Sequence, residues 1–188
     1  MAHLNDQILV YRIKRGDTDS FTPIYNFYVE RVYRFVYLKV PTSQDAEDIT
    51  AEAFLKLWHY IREGKSIESL QALVYQIARN LVVDFYRKRG SVITESIDEQ
   101  EPVVADRTDL TLEEKMMLKS NMVAVEAALR QLKDAYREVI ILHFLNELSL
   151  REVAAAVEKK SGTVRVLLHR GLKVLRELLA EEKKKAQA

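Results

Sequence analysis

The segment SLREVAAAVEKKSGTVRVLLHRGLKVLR, residues 149–176, decides the reading of this chain. Ser149-Leu150-Arg151-Glu152 is a capping box, in which hydroxyl and carboxylate satisfy the orphan amides of a first helical turn. Val153, Ala154 and Val157 then face one way, giving a short helix, and Ser161-Gly162-Thr163 opens another after a brief turn. That is helix-turn-helix spacing. On a wheel of about 100° per residue, Val164, Leu167, Leu168, Gly171, Leu172, Val174 and Leu175 share one arc. The opposite arc holds Thr163, Arg165, Val166, His169, Arg170, Lys173 and Arg176. A helix in the major groove needs cations for phosphates and a few side chains near its amino end for base edges, and this face supplies both. The alternative is a solvated basic face on an ordinary bundle helix; the capped helix in front of it favours DNA.

Working outward, apolar residues recur at three and four positions nearly everywhere, and only 5 glycines and 3 prolines interrupt them. The fold class is therefore all-α, with helices expected near 4–15, 18–38, 43–61, 68–89, 112–132, 134–146, 149–157 and 162–180. Residues 91–110 lack period and carry Pro102. Across 91–120 there are 3 basic against 8 acidic side chains, whereas 1–90 has 13 against 11 and 121–188 has 13 against 9. The pattern divides the chain into a small helical domain at 1–90, a flexible acidic linker at 91–110 and a second helical domain at 111–188. Thr111 with Glu114 forms a capping box that restarts helix.

At 188 residues, with 48% hydrophobic and 30% charged side chains, two small cores are affordable and intrinsic disorder is excluded. The absence of cysteine removes disulfides, thiolate zinc sites and cysteine nucleophiles. His3, His59, His143 and His169 make no ligand cluster, so no metal and no cofactor is expected, and no catalysis. No run of about 18 apolar residues and no leader in Met1–Val10 is evident, which implies a cytoplasmic protein without direct membrane insertion.

Two helices of the first block carry further candidates. Between Ser43 and Ile61, Asp45, Asp48 and Glu52 share a face opposite the stripe Ile49, Ala53, Phe54, Leu57 and Trp58, with Trp58 expected in the core. Carboxylates in a first turn are ordinary dipole partners; a docking surface for a basic partner is the functional alternative. Between Leu70 and Arg89, Leu73, Val74, Ile77, Leu81 and Phe85 read as core, leaving Tyr75, Gln76, Arg79, Asn80, Val83, Tyr86 and Arg87 outside. Interleaved cations and aromatics suit single-stranded DNA, each stacked base being worth about 1–3 kcal/mol. The same tyrosines could instead pack on helix 18–38.

Together these residues resemble a bacterial RNA polymerase sigma factor of the sigma-70 family, in its compact extracytoplasmic-function group. Asp45-Ala46-Glu47-Asp48-Ile49 with Glu52 and Phe54 is similar to the core-polymerase-binding segment of region 2. Ile77-Ala78-Arg79-Asn80-Leu81 with Asp84 and Arg87 is similar to the segment that engages the melted minus-10 element. Arg137-Glu138-Val139 through Ser149–Ala154 and Gly162–Arg170 resembles region 4, which reads minus-35. The resemblance implies that Asp45, Glu47, Asp48 and Glu52 dock on core polymerase. It implies that Lys65, Tyr75, Arg79, Asn80, Tyr86 and Arg87 meet the opened strand, Lys65 lying in the loop 64–69 that corresponds to the family's specificity loop. Ser161, Thr163, Arg165, Val166, His169, Arg170 and Lys173 would meet minus-35 DNA. Core polymerase, promoter DNA and an anti-sigma factor are the implied partners. With the chain ending at Ala188, control by such a partner is expected over self-inhibition.

This chain departs from the family where Glu158 replaces the usual turn glycine and Lys159 an apolar residue. Val166 and Leu167 stand where polar and basic residues are common, so an unusual promoter is expected; Val166 could meet a thymine methyl. A non-glycine residue at positive φ costs about 1–2 kcal/mol. The rival readings are a stand-alone helix-turn-helix regulator, an all-helical adaptor or anti-sigma factor, and a metal-dependent helical hydrolase.

Overall fold

In a computed structural model of the chain, residues 2–90 and 122–186 are described, with side chains over 5–90 and 124–181. The acidic linker and the Thr111–Glu114 capping box lie outside the described residues, as does the start of the helix expected at 112–132. Every regular element described is helical, so the fold is all-α. Among the described residues no helix is long and apolar enough to cross a membrane. The chain forms two compact units, one holding the first four helices, the other most of the rest.

In the first unit, α1 (Ala2–Lys14) and a 3₁₀ turn (Thr18–Ser20) lead into α2 (Phe21–Tyr37), α3 (Ser43–Arg62) and α4 (Leu70–Lys88). The helix expected at 18–38 thus begins as 3₁₀. α2, α3 and α4 pack on one another, and α1 lies against all three. On α2, Ile24, Tyr28, Val32, Phe35 and Val36 recur at helical spacing and all are buried. They meet the stripe Ala46, Ile49, Ala53, Phe54, Leu57 and Ile61 of α3. Truncating one such residue, Leu57→Ala for instance, costs about 2–5 kcal/mol because the cavity adds to the lost transfer energy. Edge-on rings finish the seam, Phe21 on Trp58 with centroids 5.1 Å apart and Tyr25 on Phe54 at 4.9 Å. Trp58 is only half-buried, a correction to the core placement expected of it.

Local chemistry fixes where these helices start and stop. Thr42 caps α3 by accepting from the Asp45 amide (3.1 Å), and its hydroxyl donates to the Asp45 carboxylate (2.6 Å). Ser69 caps α4 by accepting from the Ala72 amide at 3.2 Å. Such caps are worth about 1 kcal/mol each. α3 ends where Gly64 takes φ +76°, a conformation that costs glycine nothing.

In the second unit, α5 (Met122–Gln131) and α6 (Asp134–Ile140) are followed by a π-helical turn (Ile141–Leu145), by α7 (Leu150–Ala156), whose last two residues group with the first unit, and by α8 (Ser161–Ala186). The helix expected to run through 134–146 therefore widens at Ile141. The Asn146 amide reaches back five residues to the Ile141 carbonyl (3.0 Å) and the Leu148 amide six residues to Leu142 (3.0 Å). His143 Nδ1 closes the turn on the Leu148 carbonyl at 2.7 Å. α6 crosses α8 at Gly171, where an added Cβ would lie 2.9 Å from that of Tyr136. Only glycine permits that approach.

Candidate nucleic-acid interface

α7 and α8 take the helix-turn-helix arrangement, and the reasons are local. Ser149 and Glu152 cap α7 reciprocally: the Ser149 amide and hydroxyl donate to Glu152 Oε2 (3.0 and 2.7 Å), while the Glu152 amide donates to Ser149 Oγ (3.3 Å). The turn that follows places Glu158 at φ 56°, the left-handed region favoured by glycine. The Lys159 amide donates to the Ala154 carbonyl (3.0 Å), capping α7 at its far end, and the Val164 amide to Lys160 (3.1 Å) begins α8.

Packing then orients α8. Val164, Leu167, Leu168, Leu172 and Leu175 are buried. Leu167 thus belongs to the core, which explains why an apolar residue stands there. On the other side Ser161, Arg165, His169, Lys173 and Arg176 are exposed, with Thr163, Val166 and Arg170 half-buried. Residues 161–176 contain no Asp or Glu. Arg165, Arg170 and Lys173 have no ion-pair partner among the described residues, so a cationic strip faces outward unneutralised.

α4 sorts its residues differently from the expected wheel. Gln71, Val74, Tyr75, Ala78, Leu81 and Val82 are buried, whereas Leu73, Ile77 and Phe85 are half-exposed. Tyr75, expected on the DNA-facing side, is fully buried edge-on to Phe35 with centroids 5.5 Å apart. This corrects its assignment: the ring is core, its hydroxyl has no hydrogen-bond partner among the described residues, and burial raises its pKa. Arg79 and Tyr86 are half-buried, and Asn80 and Arg87 are exposed. The Tyr86 hydroxyl donates to the Lys39 carbonyl (2.7 Å), leaving only its ring for another partner, and Arg87 pairs with Asp84 at 2.9 Å. An exposed pair one turn apart is worth little and exchanges readily for a phosphate.

The loop between α3 and α4 holds Lys65, exposed, pairing with Glu63 (2.5 Å) and lying 5.1 Å from the Tyr60 ring centre. Hydrogen bonding to Glu63 raises the Lys65 pKa, and the same contact lowers that of Glu63. Sequence reasoning missed Lys14 of α1, whose ammonium donates to the carbonyls of Gly64 (3.2 Å) and Lys65 (2.6 Å). It ties the loop to the body of the unit.

On α3, Asp45, Asp48 and Glu52 line one wall of a groove whose other wall includes Leu81, Asp84 and Phe85, while Glu47 is exposed on a different arc. The three differ in freedom. Asp45 is held by Thr42 and by Arg89 Nη2, which donates to it at 3.1 Å, leaving its side chain 15% exposed. Among the described residues Asp48 accepts only from Gln44 (3.1 Å), and Glu52 pairs with Lys56 (3.1 Å); both carboxylates are exposed. Arg89 was also missed, although it closes a visible basic run, Arg87-Lys88-Arg89.

Comparison with known proteins bears on the same segments. Residues 24–92 match Sigma-70 region 2 and residues 122–175 match Sigma-70, region 4. The ECF RNA polymerase sigma factor SigX of Bacillus subtilis strain 168 is 32% identical over 172 residues, 87% of each chain. This chain belongs to the ECF group of sigma-70 factors. SigW of the same organism is 29% identical over 180 residues, covering 92% of this chain and 95% of SigW. The fold likewise resembles CnrH, solved with the cytosolic domain of CnrY, at a TM-score of 0.70 and 19% identity over 94% of this chain and 98% of that one. It resembles RpoE of Bartonella quintana, solved with the anti-sigma factor NepR, at 0.65 and 22% over 87% and 98%. This ECF factor is an alternative sigma factor, acting in promoter recognition and transcription initiation.

Proposed function

We propose that the chain binds core polymerase through Asp48 and Glu52 of α3, with Glu47 at the margin and Asp45 bracing the surface from behind. α8 then enters the major groove of a minus-35 duplex. Arg165 and Val166, with Ser161 and Thr163 at the helix start, meet base edges, while His169, Arg170 and Lys173 meet phosphates. Arg79, Asn80, Arg87 and the Tyr86 ring, with Lys65 in the loop, take unpaired minus-10 bases and so nucleate melting. Catalysis belongs to the polymerase. The observation that carries this reading is the carboxylate-free cationic strip of α8, set opposite a packed apolar face and preceded by a reciprocally capped α7.

The working domains are 1–90 and 111–188, joined by the acidic stretch 91–110, which lets one sigma factor span two promoter elements. The two solved relatives carry protein partners, and an anti-sigma factor in the cytoplasm that covers the docking surface until a signal arrives fits the present chain as well. The test is run-off transcription with purified core polymerase, with Asp48→Lys as matched control. Promoter-dependent transcripts that vanish in the control support the reading. A chain that shifts duplex DNA alone yet neither binds core nor starts transcription is a stand-alone regulator instead.

A further inference from the structure

Leu55 of α3 is the most exposed large apolar side chain among the described residues, at 61%. A lone exposed leucine is ordinary; its surroundings are what distinguish it. Asp48, Ala51 and Leu55 are spaced i, i+3, i+7 and so form one ridge, with Glu52 beside it, and all four are exposed. The packing side of the helix is elsewhere, at Ile49, Ala53, Phe54 and Leu57. The unit's core therefore does not use Leu55. Ala51, one turn away, leaves a hole in the ridge where a neighbouring helix can come close, and Leu55 is a knob, the pairing by which helices interlock. The carboxylates around them select a cationic neighbour. The Glu52–Lys56 pair, 3.1 Å and exposed, is exchangeable.

We propose that Leu55 is the apolar anchor of the polymerase-docking face, seating between apolar side chains on a basic helical surface of core polymerase while Asp48 and Glu52 pair with cations at the rim. The proposal rests on the reading that α3 docks on core. It follows interface anatomy, in which a central apolar residue supplies the affinity and a charged rim the steering.

The experiment measures dissociation constants of the full chain for core polymerase over a range of salt concentrations. Alanine is as good a helix former as leucine, so Leu55→Ala leaves the fold intact. It is expected to weaken binding about tenfold or more, the effect of losing most of one buried leucine. The salt dependence should stay unchanged, and Leu55→Met should recover most of the affinity. Asp48→Asn is expected to weaken binding with a shallower salt dependence. Unchanged affinity in Leu55→Ala alongside weakened Asp48→Asn would overturn the anchor and leave the docking reading standing. A wild-type chain that does not bind core overturns both.

Discussion

Replacing Gly171 by alanine tests the packing of the second unit, because two effects of opposite sign meet there. In an open helix interior, glycine to alanine stabilises by about 1 kcal/mol through helix propensity. At Gly171 the new methyl would lie 2.9 Å from Tyr136 Cβ and 3.0 Å from Ile140 Cδ1. The isoleucine tip can rotate away. The tyrosine Cβ is fixed to the backbone of α6, so relief requires α6 and α8 to separate by tenths of an ångström along a close-packed seam. Overpacking of this kind costs about 1–3 kcal/mol, which leaves a net loss of about 1 kcal/mol. Gly162, also in α8, has no atom of the described residues beyond its own stretch of helix within 4 Å of a would-be Cβ, so Gly162→Ala should gain up to about 1 kcal/mol. The two variants should therefore differ by about 1–2 kcal/mol in urea unfolding of the full chain followed by helical circular dichroism. Fluorescence of Trp58, the single tryptophan, reports the first unit separately. Equal gains from the two substitutions would refute the close crossing at Gly171 and with it the account of how α8 is oriented.

The two fully buried tyrosines should respond oppositely to loss of their hydroxyls. Tyr28 donates to the buried Asp6 carboxylate at 2.6 Å, so Tyr28→Phe should cost about 1–3 kcal/mol of unfolding free energy. The Tyr75 hydroxyl has no partner among the described residues, and Tyr75→Phe should be neutral or stabilising by up to about 1 kcal/mol in the same measurement. Lys14→Met removes the tie to the Gly64 and Lys65 carbonyls; it should slow promoter opening, read by permanganate reactivity of unpaired thymines, without changing affinity for core polymerase. Arg165→Ala should lose about 1–3 kcal/mol of discrimination between minus-35 sequences, whereas Lys173→Ala should weaken all duplexes alike and lower the salt slope by about one unit, both read by quantitative footprinting.

How far the sequence reaches depends on how sharply each helix separates its faces. On α8 apolar and charged residues alternate cleanly, so the arc read from the wheel coincides with the buried set apart from Val174, which is half-buried. α4 is apolar nearly all round, with Leu73, Val74, Tyr75, Ile77, Ala78, Leu81, Val82 and Phe85 on several sides, and periodicity alone does not select one. The choice is tertiary: Phe35 of α2 offers the Tyr75 ring an edge-on partner, and Ala78 is fully buried on the same side. The π-helical turn was invisible for a related reason. No glycine or proline marks it, and what closes it is a set of bonds to Leu148 beyond the expected helix end. Lys14 lies 50 and 51 residues from the two carbonyls it holds, so no local pattern announces it.

The surfaces proposed for binding share one economy. α3 and α8 each place core residues on one face and the proposed interface residues on the other, so most of those residues can vary without loss of stability. The exceptions lie where the two demands meet. Asp45 has the chemistry of a docking carboxylate but is engaged by Thr42 and Arg89, and there the helix cap and the α3–α4 ion pair take precedence. Glu158 is the converse case. Its backbone carries a left-handed conformation that glycine would adopt more readily by about 1–2 kcal/mol, yet the turn keeps its form because the Lys159 amide bond to Ala154 and the capping box at Ser149 hold α7 at both ends. A helix of 7 residues has little stability of its own, so its position in front of α8 depends on those end contacts and on its buried residues Val153, Ala154 and Ala156. If side chains at the start of α8 read base edges as proposed, they can do so only while α7 is held there, which makes the capping box as much a requirement for promoter recognition as the cations proposed to touch the DNA.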